Sequence, residues 1–353
     1  MPILQRQPLT FPWPTIDPFL FCAHHDDAYP AGNAQQGPAT SLAGRAIYSD
    51  FSRKDGWSMY HGKTVPGFPP HPHRGFETVT VVRQGVIDHA DSLGARARYG
   101  AGDVQWLTTG AGIVHAEMFP LLNPDKPNPL ELFQIWLNLP ARNKMAAPHF
   151  TMFWSHEVPR QRFTDAAGRV TEVVVTAGSL GDVKPLAPPP DSWAAQPNAD
   201  VAIWTVTMAP GAHWTLPAAA GADTQRQLYF FRGGSVQVAG QAVNAHAALR
   251  LSADRPVELV NGPEVSEFLL LQGRPLNEPV AQYGPFVMNT RAEIEQAMAD
   301  YRRTQFGGWP WGDAEPVHGS DPARFTQLMK AEKQLPPALP KSAVTLPTAA
   351  APT

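Results

Sequence analysis

The stretch from His71 to Phe119, HPHRGFETVTVVRQGVIDHADSLGARARYGAGDVQWLTTGAGIVHAEMF, constrains the fold more than any other part of the chain. It opens on His71-Pro-His73 and closes on His115-Ala-Glu117-Met-Phe, and between them runs of β-branched residues alternate with glycine-containing turns. Residues two apart on a strand point to the same face. Each pair can therefore aim two side chains at one point, and strands that fold back between them bring four groups together. Three imidazoles and one carboxylate suit a borderline divalent ion (iron, manganese, copper, nickel or zinc) and not calcium, which takes oxygen ligands. A closed structural zinc site would favour cysteine, and Cys22 is the only cysteine. Four protein ligands leave one or two positions open on a five- or six-coordinate ion.

A second carboxylate competes on geometry. Glu77 has the same strand parity as His71 and His73, so a regular strand would permit it as a ligand. Gly75 lies between and can bend the strand. Glu117 keeps tight register with His115; geometry leaves both carboxylates open, and with Glu117 as the ligand Glu77 becomes a hydrogen-bond acceptor for an imidazole.

Four segments, GFPPHPHRGFETVTVV at 67–82, GDVQWLTTGAGIVHAEMF at 102–119, LELFQIWLNLP at 130–140 and EPVAQYGPFVMNTRAEI at 278–294, resemble the pirin family of bicupin proteins over roughly residues 45–305. The resemblance implies an all-β fold of two cupin-type β-barrels with a few short helices, mainly C-terminal. It implies one metal in the N-terminal barrel, held by His71, His73, His115 and Glu117, with Fe2+ the expected ion and manganese, copper, nickel or zinc as alternatives. It also implies quercetin 2,3-dioxygenase activity, which opens a flavonol ring with dioxygen and releases carbon monoxide. In that chemistry the metal chelates the flavonol 3-hydroxyl and Glu117 is the catalytic base. The alternative it implies is an iron-dependent redox-sensing regulator that acts through protein partners, a transcription factor or a metabolic enzyme.

The strand pattern divides the chain. Residues 1–44 read as an N-terminal segment packed on the barrels, and 45–195 as the metal-binding cupin with a connecting segment that includes PLAPPPDSW at 185–193. Residues 196–305 read as a degenerate second cupin with a C-terminal helix, and 306–353 as a partly disordered extension. In LFQIWLNL, Phe133, Ile135, Leu137 and Leu139 share one face, as in a strand with a buried side. The second set of strands has no His-x-His, and its His213 and His246 stand alone, so it reads as metal-free. Gly233-Gly234 predicts a tight hairpin. Thr290 and Glu293 form a capping-box pattern ahead of the stripe Ile294, Ala297, Met298 and Tyr301. Asp321-Pro322 predicts a second helix through RFTQLMKAEKQL, and the text beyond Leu335 lacks the apolar periodicity to fold.

His24-His25-Asp26-Asp27 reads as a polar loop that caps turns or lines the pocket mouth, because adjacent residues on an extended chain point apart and cannot easily share an ion. His61 and His89 read as surface or supporting groups, Trp106 and Met118 as core or pocket wall, and Asp103 as a turn residue. Phe68, Phe76 and Phe119 would give an open site apolar walls suited to a small aromatic substrate.

Composition narrows the class. The formal charge is −3, with no basic block to meet nucleic-acid phosphates. With one cysteine, no signal pattern and no membrane-length apolar run, a cytoplasmic protein without membrane contact is expected. Two barrels complete the architecture within one chain, so a monomer is expected.

Overall fold

Alternation in the strand Leu130–Asn138 sets the plan of the molecule. Its odd-numbered Phe133, Ile135 and Leu137 are fully buried, and they join a cluster containing Tyr229, Phe231, Leu269 and Leu271 from far along the chain. Its even-numbered Leu132, Gln134 and Trp136 face a cavity on the opposite side. A strand apolar on one face and mixed on the other must separate two environments. Here it separates the junction of two β-units from the interior of the first.

The computed structural model describes residues 2–221, 223–328 and 332–337. It is all-β apart from one α-helix and short 3-10 turns. In the first unit, one five-stranded antiparallel sheet runs in the order His149–Phe153, Val104–Thr108, Phe76–Gln84, Leu130–Asn138, Phe19–Asp27. The sheet facing it runs Phe325–Gln327, Arg96–Gly100, Val86–Asp91, Ile113–Met118, Gly67–His73. Val82 and Leu132 from one and Ile87, Ala97 and Tyr99 from the other fill the space between. The second unit faces a seven-stranded sheet with a four-stranded one around Trp204, Leu228, Phe230, Leu249, Leu259 and Phe268.

The expected boundaries follow the sheets only in part. Ile3–Pro8 pairs with Ala247–Leu251 in the second unit, and Phe19–Asp27 pairs with Leu130–Leu137 in the first. The N-terminal segment is thus woven into both sheets and covers strand edges that would otherwise expose unpaired backbone groups. Arg160–Thr164 and Val170–Ala177, within the segment assigned to the first unit, pair onward to Ala202–Met208. The second unit therefore begins before residue 196.

Three local expectations are corrected. Gly233-Gly234 makes no hairpin: Gln225–Arg232 pairs with Ala247–Leu251 and Ser266–Gly273, whereas Val236–Val238 pairs with Gln241–Val243 and Val257–Asn261. The two glycines carry the chain from one sheet to the other. Among the described residues no helix follows Asp321-Pro322, where Phe325–Gln327 is a strand paired with Arg96–Arg98. The Asp321 carbonyl accepts from Arg98, Arg324 pairs with Asp103, and Phe325 is buried, so tertiary anchors override a local helix signal. Residues 329–331 of that predicted helix, and 338–353 of the tail expected to be disordered, lie outside the described residues. His24–Asp27, finally, is strand and not loop.

The capping box is present: Thr290 Oγ accepts from the Glu293 backbone N–H, and the Glu293 carboxylate accepts from Thr290. The helix Arg291–Thr304 lays Ile294, Ala297, Met298 and Tyr301 against Val114, Phe286 and Phe306. It thereby braces the strand that carries His115.

Candidate metal centre

Gly67–His73 and Ile113–Met118 are antiparallel neighbours, and their register sets His71 opposite His115 and Phe68 opposite Glu117. Directly paired residues point to the same side of a sheet. A register shift at Pro69-Pro70 restores His71 to that face. The ring centroids of His71, His73 and His115 form a near-equilateral triangle with sides of 4.5, 4.7 and 4.9 Å, and one ligand atom from each lies within 4.8 Å of the others.

Backbone carbonyls orient two of the rings. His71 Nδ1–H donates to Pro69 (2.8 Å) and His73 Nδ1–H to Pro285 (3.4 Å), which turns both Nε2 atoms toward the centre. Pro285 belongs to the distant segment 278–294. His115 is fully buried, and neither of its ring nitrogens has a hydrogen-bond partner among the described residues. Burial pushes the imidazole of His71 down to about 4, and those of His73 and His115 well below their usual value. All three are neutral, the form that offers a lone pair.

Glu117 stands at the edge of this cluster. Its Oε2 is 3.9 Å from His115 Nε2 and accepts from Gln134 Nε2 at 2.8 Å, while Oε1 lies 3.2 Å from Thr80 Oγ. Burial raises its pKa, an effect that His89, Thr80 and Gln134 partly offset. His89 packs behind His115 at 5.6 Å between ring centroids. Its Nδ1 meets Gln105 Nε2 (2.9 Å) and its Nε2 meets Asp91 (3.0 Å), a supporting position as expected.

Glu77 is elsewhere. Gly75 (φ +88°) turns the chain after His73, and a Cβ there would lie 2.0 Å from the Val287 carbonyl. Beyond this turn the chain enters the other sheet, and Glu77 points away from the triad. Its carboxylate accepts from Thr108 Oγ (2.7 Å) and Ser192 Oγ (2.5 Å), and no imidazole donates to it. The acceptor role predicted for it is therefore corrected.

His71, His73 and Glu117 line a cavity of about 350 Å³ walled by Phe11, Phe21, Phe51, Phe68, Phe119 and Trp136, and His115 is fully buried beside it. Phe76 supports that wall by packing on His73 and Trp136. His61 lines the mouth with Nδ1 bound to the Tyr48 carbonyl (2.6 Å). Trp106 lies in the core between the units, Met118 is buried, and Asp103 accepts from Gly100 and Ser155 as a turn residue. Thr80 and Gln134 were missed from sequence. The alternation that buries Phe133 and Ile135 already put Gln134 on the other face with Trp136.

The residues present fit a divalent ion: three neutral imidazoles, two of them backbone-oriented, a buried His115 lacking partners, and an adjacent carboxylate. Residues 13–137 match the family described as Pirin, and 203–307 match that described as Pirin C-terminal cupin domain. The chain belongs to the pirin family. A Pseudomonas aeruginosa protein named "Putative quercetin 2,3-dioxygenase" is 37% identical over 241 residues, covering 68% of this chain and 79% of its own. Human Pirin is 34% identical over 254 residues, covering 70% and 80%. The crystal structure of an Acinetobacter baumannii quercetin 2,3-dioxygenase superposes with a TM-score of 0.65 at 29% identity, covering 82% of this chain and 86% of that one. The two sandwiches are thus the two cupin units of a pirin. No helix among the described residues is long and apolar enough to cross a membrane.

Proposed function

We propose that this pirin is a metal-dependent dioxygenase of flavonol-type substrates, with the ion held by His71, His73, His115 and Glu117. The observation that carries the reading is the convergence of three neutral imidazoles, two of which line an aromatic-walled cavity together with a hydrogen-bonded carboxylate. A divalent ion, ferrous iron being the best match among the borderline metals, supplies Lewis acidity that lowers the pKa of a chelated hydroxyl.

The remaining work falls to the chain's own residues. Glu117 accepts the flavonol 3-hydroxyl proton, a role suited to a carboxylate whose pKa burial has raised. Thr80 Oγ lies between Glu117 Oε1 and Gln134 Oε1 (3.2 and 2.5 Å), and it has a single hydrogen to give. When Glu117 takes up a proton at Oε1, Thr80 can receive it as a hydrogen bond and give its own to Gln134. Both protonation states of the base are thus accommodated without side-chain movement. The aromatic walls hold a planar ring system and exclude water from the electron-rich anion. Both atoms of dioxygen then enter the opened product, and one ring carbon leaves as carbon monoxide.

Iron-loaded protein should bleach quercetin and consume dioxygen. Glu117→Gln should abolish turnover while some metal stays bound. Failure of the wild type with iron, copper, manganese and nickel alike would sink the reading.

A further inference from the structure

We propose that His25 is a specificity-determining residue that hydrogen-bonds a phenolic hydroxyl on the part of the substrate remote from the metal. The inference rests on the flavonol reading and names the polar contact at the other end of the same cavity.

His25 lines the cavity and is 4% exposed, yet neither ring nitrogen has a hydrogen-bond partner among the described residues; Nδ1 is closed off, which leaves Nε2 as the nitrogen a ligand can meet. A buried imidazole nitrogen without a partner is rare and costly. The ring is held edge-on by Tyr60 (4.8 Å), Phe11 (5.6 Å), Phe68 (5.9 Å) and Phe119 (6.4 Å). Tyr60 is itself fixed by Asp27 (2.8 Å). The imidazole cannot readily swing away to find another partner. Strand alternation turns His24 to the other side, where it binds Glu131 (3.0 Å).

Phe68 separates His25 from the triad, at 5.9 Å from His25 and 6.3 Å from His71 between ring centroids. An aromatic ligand with one end at the triad would lie along Phe68 and bring its far ring to His25. Burial pushes the His25 imidazole down to about 3, so it is neutral and offers one N–H and one lone pair. A phenol can answer either.

The test compares quercetin with 3-hydroxyflavone, which keeps the metal-chelating oxygens and lacks the remote hydroxyls. Anaerobic calorimetry on metal-loaded and metal-free protein should show wild type preferring quercetin, and His25→Phe should cut that preference roughly tenfold. His25→Gln, which keeps a hydrogen-bonding group, should restore part of it and serves in its place if the phenylalanine variant does not fold. In turnover the loss should fall on KM for quercetin, with kcat little changed. An unchanged preference in His25→Phe, no preference in wild type, or no binding of either compound would overturn the inference. Binding that depends on His25 without dioxygen consumption would instead overturn only the dioxygenase reading.

Discussion

Glu117 Oε2 lies 3.9 Å from His115 Nε2, too far for a hydrogen bond and within the span of two ligand atoms each roughly 2.0–2.2 Å from one ion. The carboxylate is kept from closing that gap by Gln134 and Thr80, which hold both of its oxygens.

Thr80→Val removes one of those holds while keeping shape. The expected result is unchanged metal content with kcat lowered on the order of tenfold, a fraction of the roughly 10²–10⁴ that general-base help supplies. Metal analysis alongside steady-state kinetics checks it. A loss of metal in step with activity would mean that Thr80 serves the ion and not the base.

His115 has two buried nitrogens with no hydrogen-bond partner among the described residues, so a bound ion should offset a real destabilisation of the metal-free fold. Chelation should lower the melting temperature of wild type, since a ligand at a hundred times its Kd stabilises by about 2.7 kcal/mol. His115→Ala should bind far less metal and melt at the same temperature with or without chelator. Full occupancy in that variant would remove His115 from the ligand set.

Glu77 makes stability depend on pH. Burial raises its carboxyl pKa from 4.5 to about 7, against the partial offset of Ser192 and Thr108. The folded state thus holds a proton that the unfolded chain releases above pH 4.5. Its contribution to stability is complete below that pH and is lost as pH rises through about 7. At about 1.4 kcal/mol per pH unit the loss comes to about 3.5 kcal/mol. Glu77→Gln should therefore gain stability relative to wild type between pH 4.5 and 8, measured by urea unfolding of matched samples. A pH-independent difference between the two proteins would contradict this account.

The histidine pairs were legible because strand parity is a local rule. His71 with His73, and His115 with Glu117, each share a face wherever the strands lie, and a single cysteine argued against a cysteine-rich structural zinc site. Alternation in 133–139 was also legible, but what it faced was not. Phe133 and Ile135 bury against Phe231 and Leu269, more than ninety residues away, and no local pattern names a partner at that distance. The Asp321-Pro322 helix and the Gly233-Gly234 hairpin failed for the same reason. Both signals were local, and pairing with Arg96–Arg98 in one case and a switch of sheets in the other outweighed them.

By itself the sequence determined which candidate donors share a strand face and the presence of two β-units, because side-chain chemistry and a period of two travel with the chain. Only the tertiary structure decided which carboxylate lies beside the triad. The turn at Gly75, fixed by close approach of the Val287 carbonyl, sends Glu77 into a different sheet. The fold likewise set Gln134 and Thr80 on Glu117, Pro285 on His73 and His25 across the cavity, contacts between segments that nothing but packing brings together.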